Sequence, residues 1–195
     1  MSMFEDQCER LHECLSPLPM LSWNQGTKPM IPSDGIYFFY ERGESSDHNS
    51  NALRIVRVGT HKAQGRLPSR LRTHYQGGAS IFRTHVYQAM AARNGRQTAL
   101  RAKNFPPDVN RQVNQYFFAN FTFRVVSEAD SRRRLDLEER AIATLARCSI
   151  CRPSGAWIGN FSQSLDVRHS GLWNVHHTRS NRILEGRDFE QLGSS

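Results

Sequence analysis

Hydrophobic positions along the chain change period several times, and each change predicts an element. Phe4, Cys8, Leu11 and Leu15 recur at helical spacing, so residues 3–15 read as an amphipathic helix ended by Ser16-Pro17. A Pro-containing connection follows from Leu18 to Ser33, with Trp23 and Met30 as anchors, and Asp34-Gly35 turns the chain into an aromatic strand, Ile36–Tyr40. The stretch Glu41–Asn51, rich in Ser, Asn and Gly, reads as a mobile hairpin loop leading to a central strand, Arg54–Val58. Gly59-Thr60 ends that strand, and beyond Pro68 the segment Ser69–His74 reads as a helix. After Gly77-Gly78, Ser80 caps a helix reaching Arg93. Asn94–Asn114, with Pro106-Pro107, reads as a basic loop near a ligand, and Tyr116–Val126 as a third strand. Ser131–Arg147 is a long helix with Leu135, Ile142 and Leu145 on one stripe; Glu138 sits inside that stripe and Glu139 at its margin. The remainder contains Trp157-Ile-Gly-Asn160 and Ser170-Gly-Leu-Trp-Asn174 and ends polar.

Charge sharpens this outline. The 195 residues carry 26 basic and 18 acidic side chains, a net +8, yet no carboxylate lies between Asp47 and Asp108. A single-sign block of this kind is the footprint of a polyanion binder, so nucleic acid is the expected partner. Lys62, Arg66, Arg72, Arg83, Arg93, Arg96, Arg101 and Lys103 are the expected nucleic-acid contacts within it. Length and composition fit one domain with appendages, no apolar run is long enough for a membrane span, and a mixed-charge start is unlike a signal peptide. A cytoplasmic protein is therefore expected. Cys148 and Cys151 have metal-knuckle spacing, and Cys8 with Cys14 would complete a four-thiolate zinc site; Cys8 on an apolar stripe instead favours reduced, buried thiols.

Candidate chemistry gathers around the central strand. Arg70 and His74 lie four residues apart on one helix face, next to a glycine-terminated strand, which suits a phosphate. The same pair also fits a solvated basic helix with its histidine at the rim. A carboxylate on the buried side of a helix, as at Glu138, is costly unless something cationic faces it.

In order, Gly35-Ile36-Tyr37, Arg57-Val58-Gly59, Arg70, His74, Glu138 and Asn174 resemble the GIY-YIG nuclease superfamily over roughly Gly35–Asn174. The phrases VRVGTH, SIFR, PSxxWIG and SGLWN look like a divergent bacterial branch of it. The resemblance implies an α+β fold: a small three-stranded antiparallel sheet flanked by helices, here with an N-terminal helix and a C-terminal extension. The corresponding division is residues 1–33 as helix and linker, 34–176 as the GIY-YIG-like domain and 177–195 as a polar tail. It also implies one divalent ion, Mg²⁺ or Mn²⁺, and hydrolysis of phosphodiester bonds in nucleic acid, usually double-stranded DNA, and leaves room for a homodimer.

Residue by residue, Tyr37 matches the tyrosine that activates or positions the attacking water. Arg70 matches the arginine that holds the scissile phosphate, His74 the position one turn later, and Glu138 the metal ligand. Asn174 is the best match to the C-terminal asparagine, with Asn160 competing. For Tyr37 a half-buried strand aromatic, for Glu138 a salt bridge to an arginine, and for Asn174 a loop-stabilising amide are the alternatives. A tyrosine acts as a base near neutral pH only where cations favour its phenolate, and the local arginines supply them.

One position departs from the pattern: Arg57 stands where the family has its second tyrosine, and His61 is the nearest side chain able to exchange protons. Strand alternation predicts that Arg57 points with Gly59, away from Val56 and Val58, into the site. The leading expectation is a metal-dependent endonuclease; the runner-up is a catalytically weak nucleic-acid-binding module.

Overall fold

The structure, a computed structural model, describes residues 2–24, 26–27, 30–47 and 49–193, and for residues 49–52 the backbone alone. Three antiparallel strands form the sheet: β1 (Gly35–Ser46), β2 (Asn49–Gly59) and β3 (Phe121–Ser127), in the order β2-β1-β3. Helix α1 (Met3–Leu15) precedes them. Between β2 and β3 run α2 (Leu67–Gln76), α3 (Ile81–Arg93) and α4 (Pro107–Asn120). After β3 come α5 (Ser131–Arg147), α6 (Leu165–Ser170) and α7 (Gly186–Gly193). The α+β fold with a small antiparallel sheet is thus as the sequence predicts.

Alternation along β1 splits the core in two. Tyr37 and Phe39 face a layer built on α2, α3 and α4, joined by Trp157 and Trp173. Ile36, Phe38 and Tyr40 face α1, α5 and α7. Every residue from Gly35 to Glu41 is buried, so β1 is sandwiched on both faces. Among the described residues no helix is long and apolar enough to cross a membrane.

One carboxylate ties distant segments to β1. Glu41, 3% exposed, accepts hydrogen bonds from Trp157 Nε1 at 2.8 Å, Trp173 Nε1 at 2.9 Å and Tyr116 Oη at 2.7 Å. Burial raises its pKa, and the three donors oppose that shift. Beside it Arg54 and Glu44 form a buried ion pair at 2.9 Å, and Arg54 Nη1 donates to the Gly171 carbonyl at 2.6 Å. Together they fix the segment after α5 against the sheet.

Several sequence expectations change. Glu41–Asn51 is not a loop: β1 runs to Ser46 and β2 resumes at Asn49, while His48 lies outside the described residues. The expected third strand loses its first five residues to α4, which opens on Pro107 inside the expected loop. Proline is well suited to a first helical turn, and Val109, Val113 and Phe117 then bury one face. Leu135 is 38% exposed and Leu137 takes the buried place. Met30 is 54% exposed, so of the two expected anchors Trp23 alone is buried. The polar end contains α7, whose Phe189 and Leu192 pack in the second core; Ser194 and Ser195 lie outside the described residues.

Candidate active site

The end of β2 carries the site. A Cβ at Gly59 would sit 2.2 Å from Tyr37 Oη, so only glycine lets the tyrosine ring lie across this strand end. Upstream, Phe39 pairs with Arg57 while Tyr40 pairs with Ile55, so Val56 is an extra residue. The bulge turns Val56 into the core layer of Tyr37 and Phe39 rather than away from it. Arg57 keeps the face expected of it and lines a cleft of about 740 Å³. Its side chain is 6% exposed; Nη1 donates to the Trp173 carbonyl at 2.7 Å and the guanidinium lies 4.9 Å from the Phe82 ring centroid. Its Nε has no partner, and among the described residues no carboxylate forms an ion pair with it. Burial lowers its pKa, and the neighbouring Arg70 adds to that; Tyr37 and Glu138 act the other way.

Behind Arg57 runs a buried hydrogen-bonded chain. Tyr37 Oη and His74 Nε2 are 2.9 Å apart, and His74 Nδ1 and Ser80 Oγ 2.8 Å. Ser80 Oγ also accepts the Arg83 N–H that caps α3. His74 is edge-on to Tyr37, Phe39 and Phe82, and its pKa is held well below the usual value by burial and then by Arg70, Arg57 and Arg83. The imidazole is therefore neutral near pH 7. Arg70 and His74 consequently differ: Arg70 lines the cleft, whereas His74 is sealed inside with Tyr37, both fully buried.

Across the cleft, α5 presents Glu138. Its Oε1 accepts the Thr60 N–H at 3.2 Å; burial raises its pKa, opposed first by Arg57, then by His177, the Thr60 N–H and Arg70. Glu139, next in sequence, is occupied elsewhere: it accepts from Ser180 Oγ and pairs with Arg182 at 3.0 Å. Asn174 bridges to β2, donating Nδ2–H to the Val58 carbonyl at 2.9 Å and accepting the Val58 N–H on Oδ1 at 3.1 Å. Asn160 is exposed and donates to the carbonyls of Ser154 and Gly155.

A sequence model of the GIY-YIG domain matches residues 4–186, nearly the whole chain. The protein belongs to the GIY-YIG family. No curated protein and no solved structure matches the chain. GIY-YIG membership gives it a nuclease-type fold, and the family's nucleases act on nucleic acid and typically depend on a divalent metal.

In this GIY-YIG chain the cleft gathers Arg57, His61, Lys62, Arg66, Arg70, Glu138 and Asn174. His61 uses both ring nitrogens: Nε2 accepts the Gly35 N–H at 3.3 Å and Nδ1 donates to the Ala63 carbonyl at 2.7 Å. Arg72, Arg93, Arg96, Arg101 and Lys103 are exposed but lie outside the cleft lining. Arg83 leaves the expected phosphate-binding set, because it is fully buried and donates to the His74 carbonyl, Asn110 Oδ1 and Asn114 Oδ1. Its charge is consumed in joining α2, α3 and α4.

Among the lining residues that the sequence reading did not assign to the site are Thr60, His176 and His177. The histidine pair follows Asn174 by two residues, and His177 adopts φ 65°, uncommon outside glycine. That adjacency was the available signal. One carboxylate in the cleft suffices for a hard divalent ion, since such ions are held by one or two carboxylates plus water and substrate phosphates. Glu138 is the only carboxylate among the described lining residues.

Proposed function

We propose that this GIY-YIG protein is a metal-dependent endonuclease that hydrolyses phosphodiester bonds in DNA. One observation carries the reading: Arg57 and Arg70, without ion-pair partners among the described residues, share a cleft with a single carboxylate, Glu138. A guanidinium is preorganised for phosphate oxygens and always charged. A cleft presenting two of them opposite one carboxylate matches a substrate that is anionic and bridged to a cation.

In this reading Arg57 and Arg70 hold the scissile phosphate and offset the charge that develops on its oxygens. Lys62 and Arg66 extend the contact along the backbone. Glu138 is the metal ligand, and the Thr60 N–H holds its carboxylate in place. A divalent ion bound there supplies Lewis-acid stabilisation and a more acidic water. Neutral His74 holds the Tyr37 hydroxyl through Nε2, with Ser80 completing the chain, and so fixes the tyrosine at the back of the site. Asn174 is a positioning amide: its bridge to Val58 sets Val175–His177 along the rim.

A second reading, a nucleic-acid-binding module with weak catalysis, is favoured by one feature. Tyr37 is fully buried and both His61 nitrogens are engaged, so neither reaches solvent water in this arrangement. Incubating the protein with supercoiled plasmid and Mg²⁺ or Mn²⁺, with and without chelator, separates the two. Chelator-sensitive nicking supports the nuclease. Salt-sensitive binding without cleavage under any divalent ion supports the module. Parallel single- and double-stranded RNA substrates test the choice of DNA.

A further inference from the structure

In the core layer shared by α1, α5 and α7, two thiols and an imidazole converge, with a third thiol beside them. Cys8 and His12 lie one turn apart on α1, so both side chains project from the same face. Cys148 ends α5 as its cap residue and Cys151 follows in the turn, giving the two-residue gap of a metal knuckle. The Sγ atoms of Cys8 and Cys151 and a ring nitrogen of His12 all lie within 4.8 Å of one another. Cys8 neighbours both Cys148 and Cys151. Cys151 Sγ is 3.4 Å from His12 Nε2. None of the four cysteines is in a disulfide.

We propose that Cys8, His12 and Cys151, with Cys148 beside Cys8 as the fourth ligand, form a structural zinc site that pins α1 to the end of α5. The 3.4 Å between Cys151 Sγ and His12 Nε2 suits the ion. Zn–S bonds of about 2.3 Å and Zn–N bonds of about 2.0–2.1 Å across a tetrahedral angle place S and N about 3.5 Å apart, and two sulfurs about 3.8 Å apart. Mere packing of buried thiols does not call for an imidazole among them, whereas three soft sulfurs and one nitrogen are a closed zinc set. Cys14 takes no part: its Sγ donates to the Phe189 carbonyl at 3.8 Å. The four-thiolate alternative, which needed Cys14, thus gives way to a set that takes His12 in its place. The site would hold α1 and α5 in register, and α5 carries Glu138.

The test begins with metal analysis of the full chain purified without chelator. About one zinc per chain is expected. Cys151→Ser and His12→Ala should lose most of it, while Cys14→Ser and Glu138→Ala retain it. Should the ligand variants fail to fold, wild-type protein stripped and reloaded with Co²⁺ gives a second readout. Intense thiolate-to-cobalt charge-transfer bands with a tetrahedral ligand-field spectrum are expected. Absence of both zinc and the cobalt–thiolate spectrum in wild type overturns the proposal. So does loss of the zinc in Glu138→Ala, equal loss in Cys14→Ser, or a Cys148–Cys151 disulfide in protein isolated under reducing conditions.

Discussion

Arg57→Met separates a group kept for substrate from one kept for stability. Burying a guanidinium without a carboxylate partner costs several kcal/mol after relaxation. Against this stand the hydrogen bond to the Trp173 carbonyl, worth about 1.5–3 kcal/mol for a charged donor, and the contact with Phe82, worth about 0.5–2 kcal/mol. The two sides nearly cancel, so methionine, similar in length and apolar, should change stability by no more than about 1.5 kcal/mol, or roughly 5 °C in Tm. Function should respond very differently. Losing one phosphate contact should lower the salt-dependence slope of DNA binding by about 0.9. Cleavage should fall by about 10²–10³, the usual consequence of removing one preorganised donor to a developing anion. Arg57→Lys should recover part of the slope, and Arg57→Tyr, which restores the family residue type, part of the cleavage. The assays are calorimetric melting, binding isotherms over a salt series and plasmid nicking. A loss of more than about 3 kcal/mol with unchanged cleavage would make Arg57 a strut for Trp173 and refute the reasoning.

Glu138→Gln should abolish metal-dependent cleavage with DNA binding nearly intact, while Glu139→Ala, which loses a hydrogen bond from Ser180 and a pair with the half-exposed Arg182, should cut nearly as well as wild type; equal losses would sink the ligand assignment. The raised pKa of Glu138 means that protons compete with the metal above the usual carboxylate range, so cleavage should fail on acidification before salt-sensitive binding does. His74, whose pKa is depressed from 6.5, contributes stability that is present above that value and lost as pH falls towards its folded value; His74→Gln should flatten the decline between about pH 7 and 5 in chemical denaturation. Replacing Arg93, Arg96 and Arg101 together should reduce the salt slope of binding, measured by fluorescence anisotropy, only if nucleic acid extends beyond the cleft; an unchanged slope confines the contact to the cleft itself.

The sheet and the helices after it were legible because their patterns are local. Ile36–Tyr40 is an unbroken aromatic-rich run, Ser80 caps α3, and Ser131–Arg147 has a clean helical period. Glu138 stood out because a carboxylate on an apolar stripe needs a reason. The stripe itself misled in part: Leu135 with Glu138 and Ile142 is the cleft face, and Leu137 with Ala141 the buried one. Helix α4 hid behind Pro106-Pro107, read as a loop signal although proline also opens helices. The inward turn of His74 was illegible, because helix spacing fixes a side chain's direction but not what packs over it. Val56 shows the same limit: a bulge reverses alternation, and its cause lies in the partner strand. The His176-His177 wall required knowing that Asn174 would clasp Val58.

The clasp around Glu41 has an evolutionary consequence. Its three donors stand 75, 116 and 132 residues away along the chain, yet all point at one dehydrated carboxylate. Replacing Glu41 alone strands two indole N–H groups and a phenol; replacing one tryptophan alone leaves the acid with fewer donors than its burial demands. Each single step is harmful while the joint change to apolar residues is nearly neutral, since stranded buried partners, not missing ones, are what destabilise. Drift at these four positions is therefore gated: in a family alignment Glu41, Tyr116, Trp157 and Trp173 should be inherited or exchanged as a block, and a lineage that has lost the acid should have lost its indoles with it.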